Sequence, residues 1–361
     1  MTSAVKKSTS MQIEFSEERW ECVEREWTRF WNGEQKRPMV ITQMIDPKTP
    51  PVAEHRRFFP QYPLSMSADE IIAIESKHME RIRWVGDAFP SRMMEFGPGS
   101  ISMYMGASLH VSDDTVWLEP TAKSLTEIDA RVNTDSFWYK RVHAILDAAL
   151  RTWGDSVQII HSDVGGGLDV FSAIRGNENL LTDFYDDPER VQQIARTITA
   201  EWVRNYNDEA QKIKDYCRGT ASWVPMFSKG TTYMLQCDFS YMISPAMFQE
   251  FVMPELHTLC GHLSDPFYHL DGKGQLPHLD AVLSIPTLKG VQWIPGAGQP
   301  DASQWLDVLG KIRRANKFCQ IYTTPNGARR VKKELGGEGF VFVIGATTVE
   351  EAQINFEALI S

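Results

Sequence analysis

The chain has 361 residues, 23% charged and 42% hydrophobic, enough to bury a large core in one or two domains. Its 37 basic against 47 acidic residues leave a net charge of −10, which argues against nucleic-acid backbones and anionic membrane surfaces as general partners. No apolar run approaches the roughly 18 residues of a membrane helix, and Cys22, Cys217, Cys237, Cys260 and Cys319 are odd in number, widely spaced and without a CxxC pair, which implies reduced thiols and a cytoplasmic location.

The first dozen residues, MTSAVKKSTSMQ, are polar and expected to fray. From Ser16 to Gly33, Trp20, Val23, Trp27, Phe30 and Trp31 recur at helical spacing, which predicts an amphipathic helix capped by Ser16 and stopped by Gly33. RPMVITQMI reads as a buried strand, a proline-rich loop follows, and SADEIIAIESKHMERIRWVG reads as a helix. Between Phe89 and Pro120 the pattern is strand and turn.

Thereafter the alternation is regular. Helix SFWYKRVHAILDAALRTWG precedes strand VQIIHSD; helices run through GLDVFSAIRG and DPERVQQIARTITAEWVRNYNDEAQKIKDYC; strands TASWVPMF and YMLQCDF flank a turn. Helix SPAMFQEFVMPELHTLCGHL leads to strand PFYHLD, helix LPHLDAVLSI, strand GVQWI, helix DASQWLDVLGKIRRAN, strand FCQIYTT, helix NGARRVKKEL, strand GFVFVIG and helix TVEEAQINFEALI.

Repeated strand and helix units imply a parallel sheet with helical crossovers. Their number favours a single α/β (β/α)8 TIM-type barrel with an N-terminal helical extension, residues 1–36 forming the extension and 37–361 the barrel. The N-terminal helix and the Phe89 to Pro120 segment are expected to wall its cavity. No G-x-G-x-x-G opens the first unit, so a dinucleotide fold has no support.

Barrel sites form at the C-terminal ends of strands. The polar residues expected there are Asp163 and Asp169, then Gln236, Cys237, Asp238 and Tyr241, then His269, Asp271 and Lys273, then Gln292, Trp293 and Tyr322. His269 and Asp271 stand two apart on a strand and so share a face. With Cys237 they form a candidate zinc set, three protein ligands with a fourth position open; the competing readings are a buried cysteine and a hydrogen-bonded His/Asp pair. Met103 and Met105 are candidates to line an apolar substrate cavity, with core packing the alternative. Gly165 to Gly167 either let backbone approach a ligand or make a tight turn.

Taken in order, FGPGSISMYMGASLHVSDDTVWLEP, SAIRGNENLLTDFYDDPERV, QCDFSYMISPAMFQEFVMPEL, YHLDG and GFVFVIGATTVEEA resemble the uroporphyrinogen decarboxylase superfamily from about Arg37 onward. The resemblance implies a (β/α)8 barrel. Its most specific piece is SYMISPAMFQEFVMPEL, where Ser244 suits an N-cap and Pro245 the first helical turn.

The departures choose between branches. The arginine-rich segment that true uroporphyrinogen decarboxylases use for a many-carboxylate substrate is replaced here by VITQMIDPKTPP, so that substrate is not expected. In the corrinoid-dependent methyltransferase branch, members acting on coenzyme M bind zinc through H-x-C-G and a later G-C pair. Here the motifs read HLDG and GATT, with Asp271 and Ala346 where cysteines would stand. The resemblance then implies a site of harder, oxygen-rich chemistry: zinc on His269, Asp271 and Cys237, and transfer of methyl from a small O-methyl donor to cobalamin carried by a partner corrinoid protein. Catalytic roles fall to His269, Asp271 and Asp238, and a homodimer is compatible with the family. Decarboxylation of a small carboxylic acid through Asp238 or Asp163, and a non-catalytic small-molecule-binding barrel, are the alternatives.

Overall fold

Ser16 opens the first helix, its hydroxyl accepting the backbone N–H of Arg19 at 3.3 Å, and the helix Glu17–Trp31 ends before Gly33, whose φ of +71° lies in the left-handed region. The structure, a computed structural model, describes residues 13–361; the MTSAVKKSTSMQ segment lies outside the described residues. Among those described, no helix is long and apolar enough to cross a membrane.

The strands, in chain order, are β1 (Met39–Ile45), β2 (Ile82–Gly86), β3 (Ser91–Met93), β4 (Ser108–Val111), β5 (Val116–Glu119), β6 (Gln158–Ile160), β7 (Thr220–Ala221), β8 (Phe227–Ser228), β9 (Thr232–Leu235), β10 (Asp265–Asp271), β11 (Gly290–Ile294), β12 (Phe318–Thr323) and β13 (Phe340–Ile344). A seven-stranded sheet has the order β2-β1-β13-β12-β11-β10-β9. All its pairings are parallel except that of β1 with β2. Helical crossovers separate the parallel strands, as such connections require.

This mixed α/β arrangement is compatible with a TIM-type fold. It differs from the eight-stranded parallel sheet expected, because β3 and β6 pair only with each other, while β4 with β5 and β7 with β8 form antiparallel hairpins. Two local expectations also change. The helix expected through Gly86 ends at Met79, and IRWVG becomes β2, where the apolar and β-branched residues pair with β1. The helix beginning at Pro245 widens into a π-turn over Phe248–Val252, ahead of Pro254, whose missing N–H and ring disfavour a regular α-turn.

The N-terminal helix does not wall the cavity. Its aromatic face packs on the starts of the strands: Phe30 lies 4.3 Å from Phe318 and Trp31 lies 5.9 Å from Phe267, ring centre to ring centre. Indole N–H groups of Trp27 and Trp31 are satisfied by the carbonyls of Asp87 and Phe227 at 3.1 and 2.6 Å. Arg37, at the start of β1, grips the buried Asp87 through two 2.7 Å bonds, and Asp87 also accepts the N–H of Val40 at 2.8 Å. The helix thus closes the end of the sheet opposite to the site.

Candidate active site

Parallel register builds the site. His269 on β10 stands beside Gln292 on β11, and Gln292 beside Gln320 on β12. Residues in register on neighbouring strands point to the same face, so the three side chains form one row. The imidazole Nδ1 of His269 bonds the side-chain oxygen of Gln292, whose amide donates in turn to the side-chain oxygen of Gln320. Both glutamines are fully buried, so the row is fixed by the sheet. With Nδ1 donating to Gln292, the lone pair of His269 is on Nε2, which lies 3.9 Å from Asp271.

Asp238 joins this pair. One ligand-type atom from each of Asp238, His269 and Asp271 lies within 4.8 Å of the others. The donor set fits a catalytic zinc ion: three protein ligands, an open side, and a histidine whose other ring nitrogen is held by an amide oxygen. Cys237, expected as the third ligand, does not take part. Strand β9 ends at Leu235 and a 3₁₀ turn begins at Asp238, so the alternation breaks there. The Cys237 side chain is fully buried in the core, and burial pushes its thiol well above the usual range. That environment disfavours the thiolate a metal needs.

A cavity of about 500 Å³ adjoins Asp238, lined also by Asp169, Gln236, Phe239, Trp117 and Leu118. That volume is within the range of small-molecule sites, and β5 brings the expected Phe89 to Pro120 segment to it. Asp169 accepts the backbone N–H groups of Asp238 and Phe239 at 3.0 and 2.7 Å and so anchors the turn that carries Asp238. Asp163 accepts from Gly165 N at 2.9 Å and from Gln236 at 3.3 Å. Burial raises the carboxyls of Asp163 and Asp169 to about 7, with Glu95 adding to the first and Asp238 to the second. Glu255, which accepts the N–H of Gly167 at 2.8 Å, is pushed up to about 8 by burial.

The glycine triplet follows the tight-turn reading. A Cβ on Gly166 would collide with the backbone of Gln236, so glycine is needed where the turn after β6 meets the end of β9. Met103 and Met105 are buried in the hydrophobic core and line neither this cavity nor the smaller one described below. Trp293 also departs from expectation. It points to the face opposite Gln292, where it is fully buried against Trp305 at 5.4 Å. Tyr241 is solvent-exposed, with its ring over Gly274; Lys273 and Tyr322 are exposed at their strand ends.

Three contributors were not among the expected residues. Trp223 stands edge-on to His269 at 5.4 Å, Gln275 reaches Asp238 at 3.5 Å, and Gln320 ends the buried row. Gln320 carried a signal, a polar residue inside the apolar strand FCQI. Trp223 lies in the loop between β7 and β8 and Gln275 in the 3₁₀ turn Lys273–His278, and only the tertiary fold brings either to the site.

No protein-family model and no curated protein matches the sequence. Among solved structures, the fold is similar to that of a methyltransferase from Methanosarcina mazei, with a TM-score of 0.61 and 13% identity over 93% of this chain and 97% of that one.

Proposed function

We propose that this protein is a methyltransferase of the uroporphyrinogen decarboxylase superfamily that moves a methyl group from a small O-methyl donor to a corrinoid protein. The observation that carries the reading is the Asp238, His269 and Asp271 cluster at the ends of neighbouring strands. The fold likeness to a methyltransferase and the resemblance of the motifs support it. On this reading the central sheet, with β3 and β6, forms the wall of a TIM-type barrel.

Asp238, His269 and Asp271 would hold zinc, which when bound supplies a Lewis acid for the oxygen that the methyl group leaves. Gln292 and Gln320 keep His269 Nε2 directed at the cluster, and Trp223 places an apolar surface beside the ring. Two carboxylates and one imidazole make a harder ligand set than thiolates, which suits an oxygen substrate. In the transfer the C–O bond breaks with its electron pair passing to oxygen, which takes a proton from water. Cob(I)alamin on the separate protein would supply the electron pair for the new bond to carbon.

The test is incubation of the zinc-loaded protein and cob(I)alamin with a panel of aryl methyl ethers, followed by the change in cobalamin absorbance. Methylation from at least one ether supports the reading. Methylation of coenzyme M from supplied methylcobalamin, with no transfer from any ether, would overturn the oxygen-donor assignment, and release of carbon dioxide from a small acid without methyl transfer would favour the decarboxylase.

A further inference from the structure

A second, smaller cavity of about 190 Å³ lies beyond Trp223, lined also by Gln43, His78, Ser91, Arg92 and Ile160. Trp223 is the wall it shares with the surroundings of His269. Its one cationic side chain is Arg92, which is largely buried and held from behind. Nε of Arg92 donates to Glu75 at 2.7 Å, and the fully buried Glu75 also accepts the hydroxyl of Tyr62 at 2.6 Å. The guanidinium lies over the ring of Phe59 at 5.1 Å.

A guanidinium carries five N–H donors. Only the one on Nε is used, and the two terminal nitrogens of Arg92 have no hydrogen-bond partner among the described residues. They form the fork that pairs with a carboxylate. His78, on the same cavity, has a buried Nδ1 without a partner among the described residues. It stacks on His55 at 3.6 Å, and burial together with His55 pushes it down to about 4, so at neutral pH it adds hydrogen-bonding capacity without charge.

We infer that this cavity binds the carboxylate end of a small planar acid through Arg92, with Trp223 and Ile160 against the adjoining apolar part. Its volume is below the 300 Å³ or so of a complete small-molecule pocket. It therefore takes one end of a ligand whose remainder extends past Trp223 toward His269. Resting on the methyltransferase reading, this names the donor class as methoxylated aromatic carboxylates.

The test compares binding of 4-methoxybenzoate and 4-methoxybenzamide to the full chain at neutral pH by calorimetric titration. The two differ in charge at one end and carry the same methyl ether. The wild type is expected to bind the acid about tenfold more tightly or better, given the strength of charge-assisted bidentate pairing. The double variant Glu75→Gln/Arg92→Gln keeps the charge balance of the buried pair, and the preference is expected to vanish in it. Equal binding of the two ligands by the wild type, no binding of the acid, or a preference that persists in the folded double variant would each overturn the inference. The wild-type comparison decides the charge preference even if the variant does not fold. Methyl transfer is measured separately: transfer from neutral ethers without acid preference leaves the function standing and removes this inference, whereas acid preference without any methyl transfer does the reverse.

Discussion

His269 and Gln292 occupy matched positions on adjacent parallel strands, and the bond between Nδ1 and the amide oxygen fixes the tautomer and tilt of the imidazole. Partners of this kind are worth about 10- to 100-fold in metal affinity where a histidine ligates. Gln292→Leu keeps the volume and removes the bond. Zinc affinity, measured by competition with a chromophoric chelator, is expected to fall by about that factor. Stability is expected to fall by about 1–3 kcal/mol, because Gln320 and Nδ1 are left unpaired. Unchanged zinc affinity would remove Gln292 from its positioning role.

Asp238 and Cys237 are neighbours in sequence with opposite surroundings, so substitution separates them. Asp238→Asn is expected to lose zinc with little loss of stability, since its carboxylate faces a cavity. Cys237→Ala is expected to keep zinc and cost on the order of 1 kcal/mol, as for a small deletion in a packed core. Metal analysis after gel filtration and urea unfolding of both variants provide the two readouts. Zinc lost from the cysteine variant and kept by the aspartate variant would restore the thiolate site.

Buried carboxyls give a pH dependence of definite sign. Asp163 and Asp169 titrate at about 7 and Glu255 at about 8 when folded, against about 4 for such groups in an unfolded chain. Between those values the folded state binds more protons. The contribution is therefore full below about pH 4 and is lost as pH rises through the folded values. Glu255→Gln still accepts from Gly167 and cannot ionise. Its urea midpoint is expected to decline less than that of the wild type between about pH 6 and 9, and an equal decline would contradict the assignment.

The Arg37 and Asp87 pair joins the start of β1 to the residue after β2, and Asp87 is buried. Removing one partner of such a pair typically costs about 3–5 kcal/mol. Arg37→Met should approach that loss in urea unfolding, and Arg37→Met/Asp87→Asn should recover part of it. A double variant no more stable than the single would show that the charge on Asp87 is not the source of the cost.

Strand GVQWI was legible to its ends, and YHLDG was legible as a strand end bearing two groups on one face, because period-two alternation is a local property. The choice of Asp238 over Cys237 was not, since it turns on where β9 stops and a 3₁₀ turn starts. Trp293 was placed at the site because it lies near the C-terminal end of an apolar strand, but register gives that face to Gln292. Arg92 carried no local signal. It lies in a short strand paired only with β6, and its carboxylate partner Glu75 comes from the helix Ala68–Met79. Long parallel strands fix their own faces, whereas residues from short strands and loops meet only through tertiary folding.

The central claim is tested most directly by single-turnover transfer from an ether bearing a deuterated methyl group to cob(I)alamin, followed by mass spectrometry of the cobalamin, for wild type and His269→Ala. His269→Ala leaves the buried oxygen of Gln292 unpaired, at a cost of about 1–3 kcal/mol, so the two proteins are compared at a temperature where the thermal transition of each shows it folded. The account predicts labelled methyl on cobalamin with the wild type and none above background with the variant. Label transferred equally by the two proteins would contradict it.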